Sequence, residues 1–125
     1  MLRAAQRNFA SHVVGKNGQK YTVNTKLLID GKFVDSVSGK TFETQDPATG
    51  KTIALVAAAQ KEDVDLAVKA AKKAFYDSEW STMSNMQRTE LIFEFGNQVA
   101  KHADELQALE MNDNGKNPDA AMFDV

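Results

Sequence analysis

The spacing of apolar residues along the chain changes near Lys61. Upstream of it, short apolar runs alternate with glycine, proline and aspartate, whereas downstream of it apolar residues recur every three or four positions. The first pattern is typical of short strands and turns, and the second is typical of amphipathic helices. The sequence therefore predicts an α/β fold in which a meander of short strands is followed by two or three helices.

The strand region carries three recognisable segments. In "KLLIDGKFVD" two apolar pieces flank Asp30-Gly31, which is the strongest short hairpin signal in the chain. "KTFETQDP" alternates and ends at Pro47, which cannot donate a ladder hydrogen bond. "TIALVAAA" supplies a further strand, so the segments together predict a meander.

Two Gly-Lys-Thr triplets, Gly39–Thr41 and Gly50–Thr52, have the last three letters of a phosphate-binding loop. Such a loop also needs a glycine five residues upstream and a helix that starts at the lysine. Val34 and Gln45 occupy the upstream positions, and the run after Thr52 suits a strand. Both triplets are therefore predicted to be tight turns that hold no nucleotide.

Two long helical patterns follow. The first begins at Lys61, with acidic residues at its start and lysines toward its end, an order that complements the helix dipole. The second is announced by a capping box formed by Ser84 and Gln87, bends near His102 and ends at Gly115. The apolar faces are formed by Val64, Val68, Ala71 and Phe75 in the first, and by Leu91, Phe95, Val99, Leu106 and Leu109 in the second. Between them, Trp80 and Met83 are expected to fill the core beneath a turn.

Composition excludes several kinds of site. The chain has no cysteine, so its 125 residues offer no disulfide, no thiolate zinc site and no cysteine nucleophile. Its two histidines are far apart and lack metal-binding spacing. The first acidic residue is Asp30, and the five basic residues before it leave a charge of −7 on residues 30–125. This balance argues against nucleic-acid binding, and no stretch approaches the length of a membrane span.

The acid-free start of the chain is typical of a targeting segment. Wound as a helix, "MLRAAQRNFASHVV" places Leu2 and Phe9 on one side and Arg3 and Arg7 roughly opposite, and "RNFAS" is similar to a matrix-processing site cut after Phe9. Residues 1–25 are thus predicted to be a mitochondrial presequence, and residues 26–125 the folded domain. The alternative is a disordered basic tail, which would leave the protein in the cytoplasm.

Three stretches of the chain, taken in order, resemble the N-terminal part of an NAD(P)-dependent aldehyde dehydrogenase. They are "LLIDGKFVDSVSGKTFETQDPATGKTIALVAAA", "KEDVDLAVKAAKKAF" and "KHADELQALEMNDNGK". The resemblance covers the family's opening hairpin, its N-P-[AS]-[TN]-G turn, its E-D-V-[DE]-x-A-V helix and its D-N-G-K helix end. Three positions depart from the family pattern: Asp46 replaces an asparagine, Asn112 replaces a leucine, and Asn117 stands before the expected proline.

The resemblance implies an incomplete, N-terminal part of a Rossmann-like coenzyme-binding domain. It implies an intact, homo-oligomeric enzyme that oxidises an aldehyde to a carboxylic acid with NAD or NADP, through a cysteine thiohemiacetal. The family's cysteine, its general-base glutamate and its phosphate-contacting glycines would lie beyond Val125. The chain alone is therefore predicted to have no catalytic or cofactor-binding residue and no activity. The alternative is a stand-alone, non-catalytic interaction module derived from that family.

One family site is implied in part. The resemblance places a monovalent cation next to the N-P turn, held by main-chain oxygens of Thr44 and Gln45 and by the carboxylate of Asp113. Hard oxygen donors suit such ions, and carbonyl ligands tolerate a change of side chain. A further ligand would lie downstream. The other interpretation of Asp113 is a solvated residue at a helix end.

Overall fold

The computed structural model describes residues 12–125, and the part of the predicted targeting helix in residues 1–11 lies outside them. Strands come first and helices follow, as the apolar pattern predicts. The strands are β1 (His12–Val14), β2 (Lys20–Thr22), β3 (Leu27–Ile29), β4 (Lys32–Val34), β5 (Thr41–Gln45) and β6 (Thr52–Ala57). The helices are α1 (Lys61–Asp77), α2 (Asn85–Lys101), α3 (Ala103–Asn114) and α4 (Pro118–Met122), with a 3₁₀ turn at Glu79–Ser81. Within residues 12–125, consecutive strands pair into three two-stranded antiparallel sheets, which confirms the small α/β architecture.

The hairpin predicted at Asp30-Gly31 joins β3 to β4. Both turn residues have positive φ angles, 51° and 71°, which a two-residue hairpin turn of this kind requires. Leu28 lies opposite Phe33 in the resulting ladder. The second predicted pair, β5 and β6, is also present, with an irregular register between Thr44 and Gln45.

A hairpin also lies within the segment assigned to the leader. Strands β1 and β2 pair from His12 to Thr22, and the side chain of Val13 is fully buried. The folded part therefore begins upstream of Lys26, the boundary expected from the sequence. The signal that could have located this hairpin is Asn17-Gly18, a favoured hairpin turn between apolar pieces, in which Gly18 has φ 77°.

The helix starts follow the capping chemistry of the sequence. The Ser84 hydroxyl accepts a hydrogen bond from the Gln87 amide at 3.3 Å, and the Gln87 side chain accepts one from the Ser84 amide at 2.8 Å. This confirms the predicted capping box. At α1 the weak N-cap Gln60 is compensated, because its amide donates to the carboxylate of Asp63 at 2.8 Å.

The predicted bend at His102 is a complete break between α2 and α3. His102 has φ −102° and ψ 14°, outside the helical region, and α3 then continues to the predicted C-terminal glycine. Gly115 has φ 71°, and its amide donates to the Met111 carbonyl at 3.0 Å. Asn117, the residue that departs from the family pattern, caps α4 by accepting a hydrogen bond from the Ala120 amide at 2.8 Å.

The core of the described residues is built from small side chains. Its buried apolar members are Val13, Ala54, Ala57, Ala108 and Ala121. The expectation that Trp80 fills the core is wrong: its side chain is 36% exposed, and the Arg88 guanidinium lies 5.4 Å from its ring centroid. The connection between α1 and α2 is largely exposed, and Arg88 is a cation–π partner of the Trp80 ring. Among residues 12–125, no helix is both long and apolar enough to cross a bilayer.

Candidate cation site and the Gly-Lys-Thr turns

The turn between β5 and β6 is organised by Asp46. Its carboxylate accepts hydrogen bonds from the Ala48 amide and the Thr49 hydroxyl, both at 2.8 Å. Both hydrogen bonds lower the pKa of Asp46 below its ordinary value, and the bond from the Thr49 hydroxyl has the larger effect, followed by that from the Ala48 amide. Aspartate therefore preserves the turn: its Oδ1 accepts the Ala48 amide as an asparagine oxygen could, and its second carboxylate oxygen accepts the Thr49 hydroxyl, where asparagine has an NH₂ group that only donates.

The two Gly-Lys-Thr triplets lie in turns, as predicted from their spacing. Gly50 has φ 66°, and its amide donates to the Asp46 carbonyl at 2.7 Å. Gly39 also has φ 66°, and its amide donates to the Ser36 carbonyl at 2.8 Å. Each glycine amide is therefore used inside its own turn and is not free to bind a phosphate group.

Two of the three predicted cation ligands lie side by side. The Thr44 hydroxyl on β5 donates to the carboxylate of Asp113 near the end of α3 at 2.8 Å, across 69 residues of sequence. The approach of the two elements is close, since a Cβ added to Gly115 would lie 2.8 Å from Cγ of Pro47. Because Gly115 has no side chain, the D-N-G end of α3 can lie against the β5–β6 turn.

The third predicted ligand, Gln45, follows Thr44 at the irregular register of β5 and has an exposed side chain. Within residues 12–125, no cluster of three or more histidine, aspartate or glutamate side chains could hold a metal ion. A cation at this place would therefore depend on main-chain oxygens in addition to Asp113.

A second carboxylate has a structural role that the sequence did not reveal. Asp63 is buried and accepts hydrogen bonds from the Ser36 hydroxyl at 2.8 Å, the Val37 amide at 2.9 Å and the Gln60 amide at 2.8 Å. The amides of Gln60 and Val37, together with the Ser36 hydroxyl, outweigh burial and lower the pKa of Asp63. This carboxylate joins the β4–β5 connection to the start of α1.

Comparison with known proteins gives the same family as the motifs. The model of the aldehyde dehydrogenase family matches residues 33–125, which include the turn, the capped helices and the Thr44–Asp113 contact. The chain belongs to the aldehyde dehydrogenase family. The β1–β2 hairpin precedes the matched residues.

Several relatives are close in sequence to this aldehyde dehydrogenase chain. It is 52% identical over 93 residues to "Aldehyde dehydrogenase family 2 member B4, mitochondrial" of Arabidopsis thaliana, covering 74% of this chain and 17% of the relative. It is 53% identical over 91 residues to "Putative aldehyde dehydrogenase DhaS" of Bacillus subtilis (strain 168), covering 73% of this chain and 18% of the relative. The chain therefore spans less than a fifth of the length of these relatives.

The fold agrees with a solved member of the family. The NAD+ complex of aldehyde dehydrogenase from Bacillus cereus superposes with a TM-score of 0.77 at 43% identity, covering 82% of this chain and 21% of that one. The strand meander and the helices that follow it are thus the arrangement of an aldehyde dehydrogenase.

Proposed function

We propose that the intact protein oxidises an aldehyde to a carboxylic acid with NAD or NADP, and that these 125 residues form the N-terminal part of its Rossmann-like coenzyme-binding domain. The observation that carries the proposal is the family match over residues 33–125. The likeness to a structure described as an NAD+ complex supports the choice of cofactor.

The contribution of this stretch is a scaffold. It has no cysteine, and covalent attack on an aldehyde by a thiolate needs one. Its Gly-Lys-Thr turns do not fit a nucleotide, so the residues that contact the cofactor and the substrate belong to other parts of the enzyme.

The proposal is tested with a chimera of the Bacillus subtilis relative, which we call the graft. The stretch of the Bacillus subtilis relative that matches this chain is replaced by residues 33–125, and aldehyde-dependent reduction of NAD and NADP is measured. We expect the graft to be active and the isolated 125-residue chain to be inactive. A folded graft without turnover would contradict the proposed activity, and turnover by the isolated chain would contradict the scaffold role.

We propose further that Thr44 and Gln45, through main-chain oxygens, and Asp113, through its carboxylate, contribute to a monovalent cation site. The 2.8 Å hydrogen bond from the Thr44 hydroxyl to Asp113 supports this, because it brings the Asp113 carboxylate beside the residue whose main-chain oxygen would be another ligand. In the graft, Asp113→Asn should reduce stabilisation by potassium or sodium ions, whereas Asp77→Asn, at an exposed position at the end of α1, should not. Equal ion dependence in both variants would contradict the site.

We also propose that the leader directs the protein to the mitochondrial matrix. The supporting features are the acid-free start with Arg3 and Arg7, and relatives from Arabidopsis thaliana and Leishmania tarentolae that are named mitochondrial. Residues 1–25 fused to a fluorescent protein should reach mitochondria, and Arg3→Glu with Arg7→Glu should prevent import. Import of the doubly substituted leader would favour an inert tail.

A further inference from the structure

The β1–β2 hairpin packs on the two elements that carry the proposed cation ligands. Within residues 12–125, α3 makes its most extensive strand contacts with β1, and β1 in turn packs on β6. β6 is the ladder partner of β5, which bears Thr44, and α3 bears Asp113. The buried apolar side chains of this region are Val13 of β1, Ala54 of β6 and Ala108 of α3. The hairpin therefore links the two elements that bring Thr44 and Asp113 together.

The backbone of the hairpin approaches α3 closely. Gly15 directly follows β1, and a Cβ added to it would lie 3.7 Å from Cβ of Ala108. Local hydrogen bonds hold the turn: the Gly15 amide donates to the Gln19 carbonyl at 2.9 Å, and the Gln19 amide donates to Oδ1 of Asn17 at 2.9 Å. The hairpin is thus a formed unit that lies directly against the helix.

Asn112 binds this hairpin from α3. Its side-chain amide donates to the Val14 carbonyl at 3.0 Å and to the Ala108 carbonyl, one turn back in the helix, at 2.7 Å. The family pattern has leucine at this position, and leucine has no donor for either carbonyl. The bond to Val14 therefore depends on a departure from the family pattern and on a hairpin that precedes the residues matched by the family model.

Asn112 and Asp113 share the last turn of α3, which ends at Asn114. Carbonyl groups in the last turn of a helix lack intrahelical partners, so such a turn frays unless another element holds it. The Val14 carbonyl holds this turn through Asn112. The Thr44 hydroxyl holds the same turn through Asp113, at 2.8 Å. Two hydrogen bonds from different elements thus fix one helix end.

We propose that the β1–β2 hairpin, bound through Asn112, is a brace that positions Asp113 for the cation, so that Asn112 is a positioning residue of that site. The inference rests on the cation site proposed above. A carboxylate that is already held in place loses less conformational freedom when it binds an ion, so the brace raises the affinity of the site. The coupling is reciprocal, and the bound ion stabilises the docked hairpin by the same factor.

The test compares two chimeras that differ in the hairpin. The graft defined above carries residues 33–125, and a longer graft carries residues 12–125 in place of the same stretch of the relative and the residues before it. Melting temperature is measured as potassium chloride replaces choline chloride at constant ionic strength, which gives the half-saturating concentration of potassium. Asn112→Leu should raise this concentration about fivefold in the longer graft, the equivalent of one hydrogen bond. In the shorter graft, which lacks Val14, the same substitution should leave it unchanged.

Two further measurements separate positioning from stability alone. Val13→Ala in the longer graft leaves the Asn112 side chain intact and should also raise the half-saturating concentration, so it carries the test if the leucine variant does not fold. Potassium should slow hydrogen exchange of residues 12–22 in the longer graft, and Asp113→Asn should remove this effect. A bond with a structural role alone would change the melting temperature without potassium and leave both ion measurements as they are.

The outcomes distinguish the brace from the cation site on which it rests. If Asp113→Asn removes stabilisation by potassium but Asn112→Leu does not change the half-saturating concentration in the longer graft, the brace is overturned and the cation site stands. If Asp113→Asn leaves stabilisation by potassium unchanged, the cation site fails and the brace with it. An equal effect of Asn112→Leu in both grafts would show that Asn112 acts within α3, which would overturn the role of the hairpin.

Discussion

The buried carboxylate of Asp63 connects two elements through three hydrogen bonds, to the Ser36 hydroxyl and to the amides of Val37 and Gln60. Asp63→Asn removes the charge that holds these donors. In the graft, we expect the amides of Val37 and Gln60 to lose protection in hydrogen exchange. Asp65→Asn is the control, because Asp65 is exposed and pairs with Lys61 on the helix surface.

The same carboxylate gives a pH dependence with a definite sign. The pKa of Asp63 is lower in the folded state than in the unfolded chain. The stabilisation of the fold by this carboxylate is therefore complete above the pKa of the unfolded chain, and it is lost as the pH falls through the pKa of the folded state. Protection of the Val37 amide should therefore decrease below about pH 4, the usual range of aspartate. In Asp63→Asn, protection of the Val37 amide should not decrease in this pH range. A decrease of equal size in that variant would show that Asp63 is not the titrating group.

Gly115 is required by both its conformation and its neighbour. Its φ of 71° disfavours other residues, and a Cβ there would lie 2.8 Å from Pro47. Gly115→Ala should destabilise the graft by about 1–2 kcal/mol or more, the cost of a left-handed conformation plus the contact. Gly96→Ala in α2 is the control in the isolated chain, where a Cβ at this position meets nothing within 4 Å, and alanine should increase helical circular dichroism because its helix propensity is higher. An unchanged melting temperature of the graft with Gly115→Ala would contradict this account.

Single residues were predictable where local chemistry decides their role. The positive φ of Gly115 and the turns at Gly39 and Gly50 follow from glycine itself and from its spacing. The contact between Thr44 and Asp113 entered only through the family resemblance, because no local signal joins residues 69 positions apart. The burial of Asp63 depends on where the β4–β5 connection lies, which a pattern of neighbouring residues does not contain.

At the scale of elements, the start of α2 depends on the reciprocal bonds of Ser84 and Gln87. Ser84→Ala removes the acceptor for the Gln87 amide and should destabilise the graft by about 1 kcal/mol. Ser84→Thr keeps the hydroxyl and should cost less. A fall in melting temperature that is the same for alanine and threonine would show that the cap does not stabilise the helix.

Elements with a strong local signal were predicted, and those that depend on context were not. Asp30-Gly31 and the capping box located β3–β4 and α2 correctly. The sequence does not predict the β1–β2 hairpin, because the long acid-free run that includes residues 12–25 favours a leader. Its stability comes from burial of Val13 and from the Asn112 amide, which donates to the Val14 carbonyl at 3.0 Å. That partner is 98 residues away, so the sequence near the hairpin does not show it.

For the whole molecule, the distribution of apolar side chains determines how firmly the isolated chain can fold. Within residues 12–125 the buried apolar side chains are one valine and a few alanines, while Val64, Val68, Phe75, Leu91 and Phe95 are exposed on the helices. Each large apolar side chain left in water forgoes roughly 1.5–3 kcal/mol of burial. A few such residues are comparable to the whole stability of a typical domain, about 5–15 kcal/mol.

We therefore expect the isolated chain to have helical secondary structure without firm tertiary packing. Far-UV circular dichroism should show helix, the near-UV signal of the exposed Trp80 should be weak, and thermal unfolding should be broad. In the graft the apolar faces gain partners, so unfolding of the same residues should become cooperative. A sharp transition with a dispersed amide spectrum for the isolated chain would contradict this, and would favour a module that is stable without the remainder of the enzyme.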